Sequence, residues 1–312
     1  MKIVVTGALG HIGSRLVREI PSVFANAEVV MVDDLSTQRY CSLFDLPAEG
    51  NYRFIETDIL RAELESILDG ADVVIHLAAI TNAAGSFEIA KQVEEVNYRG
   101  TERVARACVQ TGAALIFLST TSVYGTQNER VDEDCSAADL QPQSPYAESK
   151  LKAEHFLQGT ESVPDLRFVI LRFGTIFGTS IGMRFHTAIN KFCWQAAMGE
   201  PITVWRTAFD QKRPYLELGD AVQSINFVMG RNLFDRRTYN VLTANATVSD
   251  VVRIISKHIP DLSLKYVDTK IMNQLSYDVA NQRFIAQGFE FQGSLERGIA
   301  DTIELLKGVR HF

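Results

Sequence analysis

A doubly wound α/β fold is what this sequence predicts: a parallel sheet with helices on both faces, and a smaller C-terminal α/β lobe. Two observations carry it. Short β-branched runs alternate with helical patterns through the first half of the chain, as parallel strands joined by crossover helices do. The first run, in MKIVVTGALGHIG, leads straight into Gly7, Gly10 and Gly13.

The elements follow in order. Residues 3–5 are a strand, too short and too β-branched for a helix. Residues 12–20 are the helix after the glycines, stopped by Pro21. Strands are expected over 28–32, 52–55, 71–76, 113–119 and 166–171, with a helix ending near 68, one long helix over 87–110 and another over 146–158. Ligands of such sheets lie beyond the carboxyl ends of the strands, so Gly7, Asp33, Asp58, Ala78 and Ser119 should share one edge. From about residue 174 the alternation is irregular. An amphipathic helix is expected over 183–198, with Phe185, Ile189, Phe192 and Ala196 on one face. A strand over 201–204, a helix over 221–229, a strand over 238–241 and helices over 248–258 and 294–306 complete the chain. The expected division is a first domain over 1–173, interleaved with segments of about 210–245, and a lobe over 174–312.

The glycine turn admits close approach of a pyrophosphate, and the helix behind it offers free N–H groups and a positive dipole end. The spacing is Gly-x-x-Gly-x-x-Gly rather than the commoner dinucleotide fingerprint, and a plain strand-to-helix turn is the alternative. Asp33, ending the second strand, suits the ribose hydroxyls of NAD and repels the 2′-phosphate of NADP. Arg39 nearby keeps NADP as the lesser choice.

The chain has 312 residues, is 46% hydrophobic and carries a net charge of −7. A large core is affordable, and general affinity for nucleic acid is not expected. Cys41, Cys108, Cys135 and Cys193 show no metal-ligand spacing or disulfide framework. With the first strand beginning at once and no apolar run of the roughly 18 residues a span needs, a cytoplasmic protein without membrane association is expected.

Tyr146 and Lys150 lie four apart in PYAESK and share a helix face. A phenol has a pKa of about 10, and acting as a base at neutral pH needs about 4 kcal/mol of differential stabilisation. A lysine ammonium one turn away and a nicotinamide cation supply charge of the right sign; the plain alternative is a helix-surface pair. The hydroxyls of Ser119, Thr120, Thr121 and Ser122 at the end of the fifth strand can bond a substrate oxygen, or be an ordinary polar strand end.

Together TGALGHIG, Asp33, Thr57-Asp58-Ile59, HLAA, Asn97, STTSVYG, PQSPYAESK, LRFGTIFG and RPYLELGD resemble the extended short-chain dehydrogenase/reductases, in the nucleotide-sugar epimerase/dehydratase group, over about residues 1–220. The resemblance implies a Rossmann-type NAD domain and a substrate-binding lobe. It implies that Gly7, Gly10, His11, Ile12 and Gly13 hold the pyrophosphate, Asp33 the adenosine ribose, and Asp58 and Ile59 the adenine. Leu77, Ala78 and Ala79 would line the cofactor channel. Asn97 matches the family's asparagine on the long helix, on the cofactor side, in a structural role. Thr120, Tyr146 and Lys150 would be catalytic, with Tyr146 the base and Lys150 also on the ribose. Thr81, Thr121, Thr175, Asn190 and Arg213 would face substrate, Arg213 gripping its diphosphate. Arg184 and His186 lie just before the helix expected to face substrate, a packed or solvated role being the plainer reading of His186.

The departures matter too. Where dehydratases place an Asp-Glu pair after the catalytic Thr, this chain has Thr121 and Ser122, which argues against 4,6-dehydration. Thr175 stands where many relatives have asparagine. The reading is an NAD-dependent nucleotide-sugar epimerase, acting at C4 of an NDP-hexose through a 4-keto intermediate. The alternatives are a nucleotide-sugar 4-dehydrogenase or 4-ketoreductase that releases its cofactor, and a nonenzymatic dinucleotide sensor. Family analogy adds a homodimer through the helices over 87–110 and 146–158.

Overall fold

The computed structural model describes residues 1–83, 85–125, 130–159, 161–268 and 276–308. Seven strands form the main sheet: β1 (Lys2–Thr6), β2 (Glu28–Asp33), β3 (Asn51–Glu56), β4 (Val73–His76), β5 (Ala114–Thr120), β6 (Phe168–Phe173) and β7 (Thr238–Val241). Their order is β7-β6-β5-β4-β1-β2-β3, and every pairing is parallel. The chain winds outward from β1 to β3, then returns to build from β4 to β7. The sheet therefore switches direction between β1 and β4, where a crevice opens at the carboxyl ends.

Alternation along the strands fills both faces. Ile3 and Val5 pack with Leu16, Val17 and Ile20 of α1 (His11–Val23) on one side. Val4, Val74 and Leu115 pack on the other with Val104 and Cys108 of α2 (Gly100–Thr111) and with Ala153 and Leu157 of α3 (Pro145–Gln158). The second lobe holds a three-stranded sheet of Ala244–Thr247, Lys212–Glu217 and Thr175–Phe177, and a pair of Leu264–Val267 with Ile202–Trp205. Its core lies between these sheets and α4 (Ala188–Ala197), with Ile189, Tyr215, Val251 and Ile299 buried together. The interleaving differs in detail from the expectation: Lys212–Glu217 joins the lobe's sheet, while the helix Leu218–Arg231 and β7 return to the main core.

Three boundaries differ from the sequence reading. Helix α1 runs through Pro21, because the missing N–H falls in the last turn and the Phe24 N–H still closes on the Ile20 carbonyl at 2.8 Å. The long helix begins at Ala90, after the non-helical Ile89 (φ −123°, ψ 31°), and passes through a π turn at Glu95–Arg99 before α2. The helix expected over 183–198 begins only at Ala188. Residues 180–187 are drawn instead onto the glycine turn, and Phe185 packs its ring 5.0 Å from that of Trp194.

Candidate active site

The carboxyl ends of β1 to β5 gather the predicted residues along one edge. Gly7 has φ +66°, and a Cβ there would lie 2.6 Å from the Ala78 N, so β1 and β4 meet backbone to backbone. A Cβ at Gly13 would lie 2.6 Å from the Gly7 carbonyl oxygen. Gly10 is the N-cap of α1, with no side-chain cap and no acidic residue in the first turn. The helix thus presents free N–H groups to the crevice. Asp33 braces the turn, accepting from the Leu9 N–H through Oδ2 and the Leu35 N–H through Oδ1, each at 3.0 Å. Burial raises its pKa against those two bonds. Asp58 caps the turn after β3 through the Leu60 N–H (2.9 Å). Ile59 is buried, and a Cβ on Gly100 would come within 2.7 Å of its Cδ1. Leu77, Ala78 and Ala79 are half-buried beside the turn.

The hydroxyl and phenol come together at the end of β5. Ser144 caps α3 by accepting from the Ala147 N–H at 3.2 Å, with Pro145 in the first turn. This cap starts the helix one residue before Tyr146. Thr120 accepts from the Ser122 N–H (3.1 Å) and hydrogen-bonds the Tyr146 phenol. Burial pushes that phenol up to about 12, and the Thr120 bond pulls it back only in part. Lys150, one turn on, donates to the Leu118 carbonyl at 2.8 Å and stands 4.8 Å over the Phe117 ring. Burial lowers its ammonium to about 8, opposed by Glu154. So Thr120, Tyr146 and Lys150 are brought together as expected. The chain's own charges do not, however, lower the phenol.

Other predicted residues serve the scaffold. Asn97 is fully buried: its Oδ1 accepts from the Ile80 N–H (2.8 Å), while its Nδ2 donates to the Ile80 carbonyl (3.0 Å) and Ser149 (3.1 Å). Asn190 is fully buried too, its amide spent on both polar groups of Gly178 at 3.1 Å. It positions the strand end carrying Thr175 and is not brought to the crevice. Thr121 donates to the Phe173 carbonyl (3.3 Å). Thr175 lies half-buried in register with Tyr215, two residues along the neighbouring strand from Arg213. Arg213 donates to the Lys212 carbonyl (2.8 Å) and Gln211 (2.7 Å), and burial lowers its pKa. Thr81 accepts from Arg184 at 3.3 Å.

The sequence did not reveal what stands behind Lys150. Glu154, one turn further along α3, is fully buried and paired with Arg172 at 2.6 Å. Ser119 donates to the same carboxylate, and Arg172 reaches the Tyr124 hydroxyl at 2.8 Å. The spacing Tyr146, Lys150, Glu154 was the available signal.

A glycine turn at the switch point of a parallel sheet, with a Thr–Tyr–Lys set beside it, defines a dinucleotide-binding protein of the short-chain dehydrogenase/reductase type. The model of the NAD dependent epimerase/dehydratase family matches residues 3–241, and the chain belongs to that family. It is 30% identical over 293 residues to a Bacillus subtilis (strain 168) protein described as an uncharacterized UDP-glucose epimerase, YtcB, covering 90% of this chain and 88% of that one. Among solved structures it resembles UDP-glucuronic acid 4-epimerase from Bacillus cereus, in complex with UDP-glucuronic acid and NAD (TM-score 0.87, 25% identity, 99% of each chain). It also resembles MoeE5 in complex with UDP-glucuronic acid and NAD (TM-score 0.83, 27% identity, 97% of this chain and 98% of that one).

Proposed function

We propose that this protein is an NAD-dependent 4-epimerase of a UDP-hexose. The observation that carries this reading is the Thr120–Tyr146–Lys150 set, followed by the hydroxyls of Thr121 and Ser122 rather than by carboxylates. A general acid–base pair for hydroxyl oxidation is present, and the dehydratase's acid–base pair is not. The relatives that hold UDP-sugars and NAD support the choice of nucleotide and cofactor. The uncapped α1 N-terminus and the cradle at Gly7 fit a dinucleotide diphosphate.

When bound, NAD supplies the hydride acceptor and a positive charge beside the phenol. The protein's part is binding, orientation and proton movement. Tyr146, raised by burial in the ligand-free chain, would be favoured as phenolate by that cofactor charge and would take the proton of the sugar 4-hydroxyl, with Lys150 one turn away on the cofactor side. Thr120, already bonded to the phenol, holds the same oxygen. For a 4-keto sugar that turns over in the crevice, Tyr146 would return the proton to the C4 oxygen while Thr120 holds it. No external oxidant is consumed. Arg213 would hold the substrate diphosphate through its guanidinium. A homodimer in the cytoplasm, paired through the helices at 90–111 and α3, belongs to the same proposal, and light scattering on the purified chain tests its assembly.

The test is incubation of the purified protein with UDP-glucose, UDP-galactose and UDP-glucuronic acid, read by NMR beside the cofactor content. Redox-neutral inversion at C4 without added NAD establishes the reading. Stoichiometric conversion of added cofactor would replace it with a dehydrogenase or reductase.

A further inference from the structure

The crevice holds a second cluster, with half of its members from each lobe. His11 begins α1, and the Arg39 guanidinium lies beside the glycine turn: a Cβ on Gly10 would be 3.2 Å from its Nη1. Residues 180–187 cross over from the second lobe. Ser180 donates to the His11 carbonyl (2.9 Å) and its oxygen lies 2.9 Å from His11 Nδ1. The Gly182 N–H donates to Ser14 (3.0 Å), and a Cβ on Gly182 would fall 2.6 Å from the Gly10 carbonyl oxygen. Arg184 then reaches Thr81, beyond β4, at 3.3 Å. The segment is thereby seated across the glycine turn from α1 to β4.

This seating brings like charges together. Burial is the main cause that lowers the Arg39 guanidinium and the imidazoles of His11 and His186, and the like charge of Arg184 on Arg39, and of both arginines on the two imidazoles, adds to it. Four polar atoms of this neighbourhood, His11 Nε2, Arg39 Nε, Arg184 Nε and Thr187 Oγ1, are buried with no hydrogen-bond partner. Asp33 offsets Arg39, but both its oxygens already take backbone N–H groups. The two arginine Nε–H groups are unpaired cationic donors, which are costly when buried, and this chain is acidic overall, with a net charge of −7. A dianionic group relieves the repulsion and the missing hydrogen bonds at once.

Resting on the cofactor assignment above, we infer that Arg184 and His186, with His11 and Arg39, clasp the diphosphate of the bound dinucleotide, so that the second lobe itself retains the cofactor. The cofactor's diphosphate is the ligand rather than the substrate's because His11 and Arg39 flank Gly10, while Thr120 and Tyr146 mark the sugar end. Retention of this kind suits an epimerase, whose cofactor returns to its starting state in every turnover.

The experiment measures NAD per chain on purification, and NAD and UDP dissociation constants by calorimetry on the stripped full chain. Wild type, Arg184→Ala, Arg184→Lys, His186→Ala and Thr81→Val are compared, each checked for an unchanged melting temperature without ligand. Loss of a charge-assisted bond of about 1.5–3 kcal/mol weakens binding by about 10- to 100-fold. Arg184→Ala should therefore lose retained NAD and bind it at least tenfold more weakly, with UDP affinity unchanged. His186→Ala and Thr81→Val should lose less, and Arg184→Lys should recover part. Wild-type NAD affinity in Arg184→Ala overturns the clasp, as does a loss confined to UDP. Should the wild-type chain bind no NAD in any preparation, the cofactor assignment fails instead.

Discussion

Two charged clusters flank the candidate site, one buried and one half-buried, and they are built in opposite ways. Behind Lys150, Glu154 and Arg172 are paired and saturated: the carboxylate takes three guanidinium contacts at 2.6 to 3.1 Å as well as the Ser119 hydroxyl. Tyr124 carries the network on to Asn240 at 2.9 Å, whose amide donates to the Ala280 carbonyl at the same distance. Across the crevice, Arg39 and Arg184 share one sign beside the neutral imidazoles of His11 and His186, and the Nε atoms of both arginines are without a partner among the described residues. A completed network inside a protein holds geometry. One whose charges share a sign and whose donors stay open suits an anionic ligand. The same residue types thus act as framework on one side and as receptor on the other, and hydrogen-bond accounting tells them apart.

The largest expected effect comes at the residue between the clusters. Tyr146→Phe should cut turnover about 10²- to 10⁴-fold while leaving the melting temperature and NAD content unchanged, since its hydroxyl completes neither network. Next comes the saturated side. Glu154→Gln strands the Arg172 charge and should cost about 3–5 kcal/mol of stability in urea unfolding. Arg39→Met on the open side, assayed without ligand, should not destabilise the chain, because it removes repulsion. Equal losses at both sites would erase the contrast.

A third effect is read by pH. His76 is buried between Thr6 (2.7 Å) and Thr101 (3.1 Å), and burial holds it at about 3, with Lys150 adding to the depression. Its folded pKa lies below the unfolded value, so its share of stability is present above about pH 6.5 and is lost on acidification toward 3. From pH 6.5 to 5 the ligand-free chain should lose about 2 kcal/mol through this residue, and His76→Asn should flatten that slope. His11 moves in the same direction. A saturating dinucleotide should therefore blunt its share and leave that of His76 intact. The smallest effect is Ser144→Ala, about 1 kcal/mol from the lost cap, seen in unfolding and as a modest fall in turnover with NAD content unchanged.

What the sequence determined by itself was local or periodic. The succession of strands and helices in the first half, the glycine turn with Asp33 behind it, and the four-residue spacing of Tyr146 and Lys150 follow from side-chain alternation, glycine's backbone freedom and helix geometry, which act over a few residues. The functional reading rested further on motifs met in family order. Tertiary structure decided what depends on closure between distant segments. Asn190 and Asn97 turn inward because Gly178 and Ile80 need partners for both backbone groups, a demand invisible along the chain. Residues 183–187 leave the expected helix because the segment is held at Gly182 by Ser14 and at Arg184 by Thr81, 168 and 103 positions away, and these contacts outweigh helical periodicity. Glu154 found Arg172, while Arg184 stands near Arg39 and pairs with no carboxylate among the described residues. Charge pairing is set by which segments the sheet brings within a few ångströms, and local sequence carries no record of that distance.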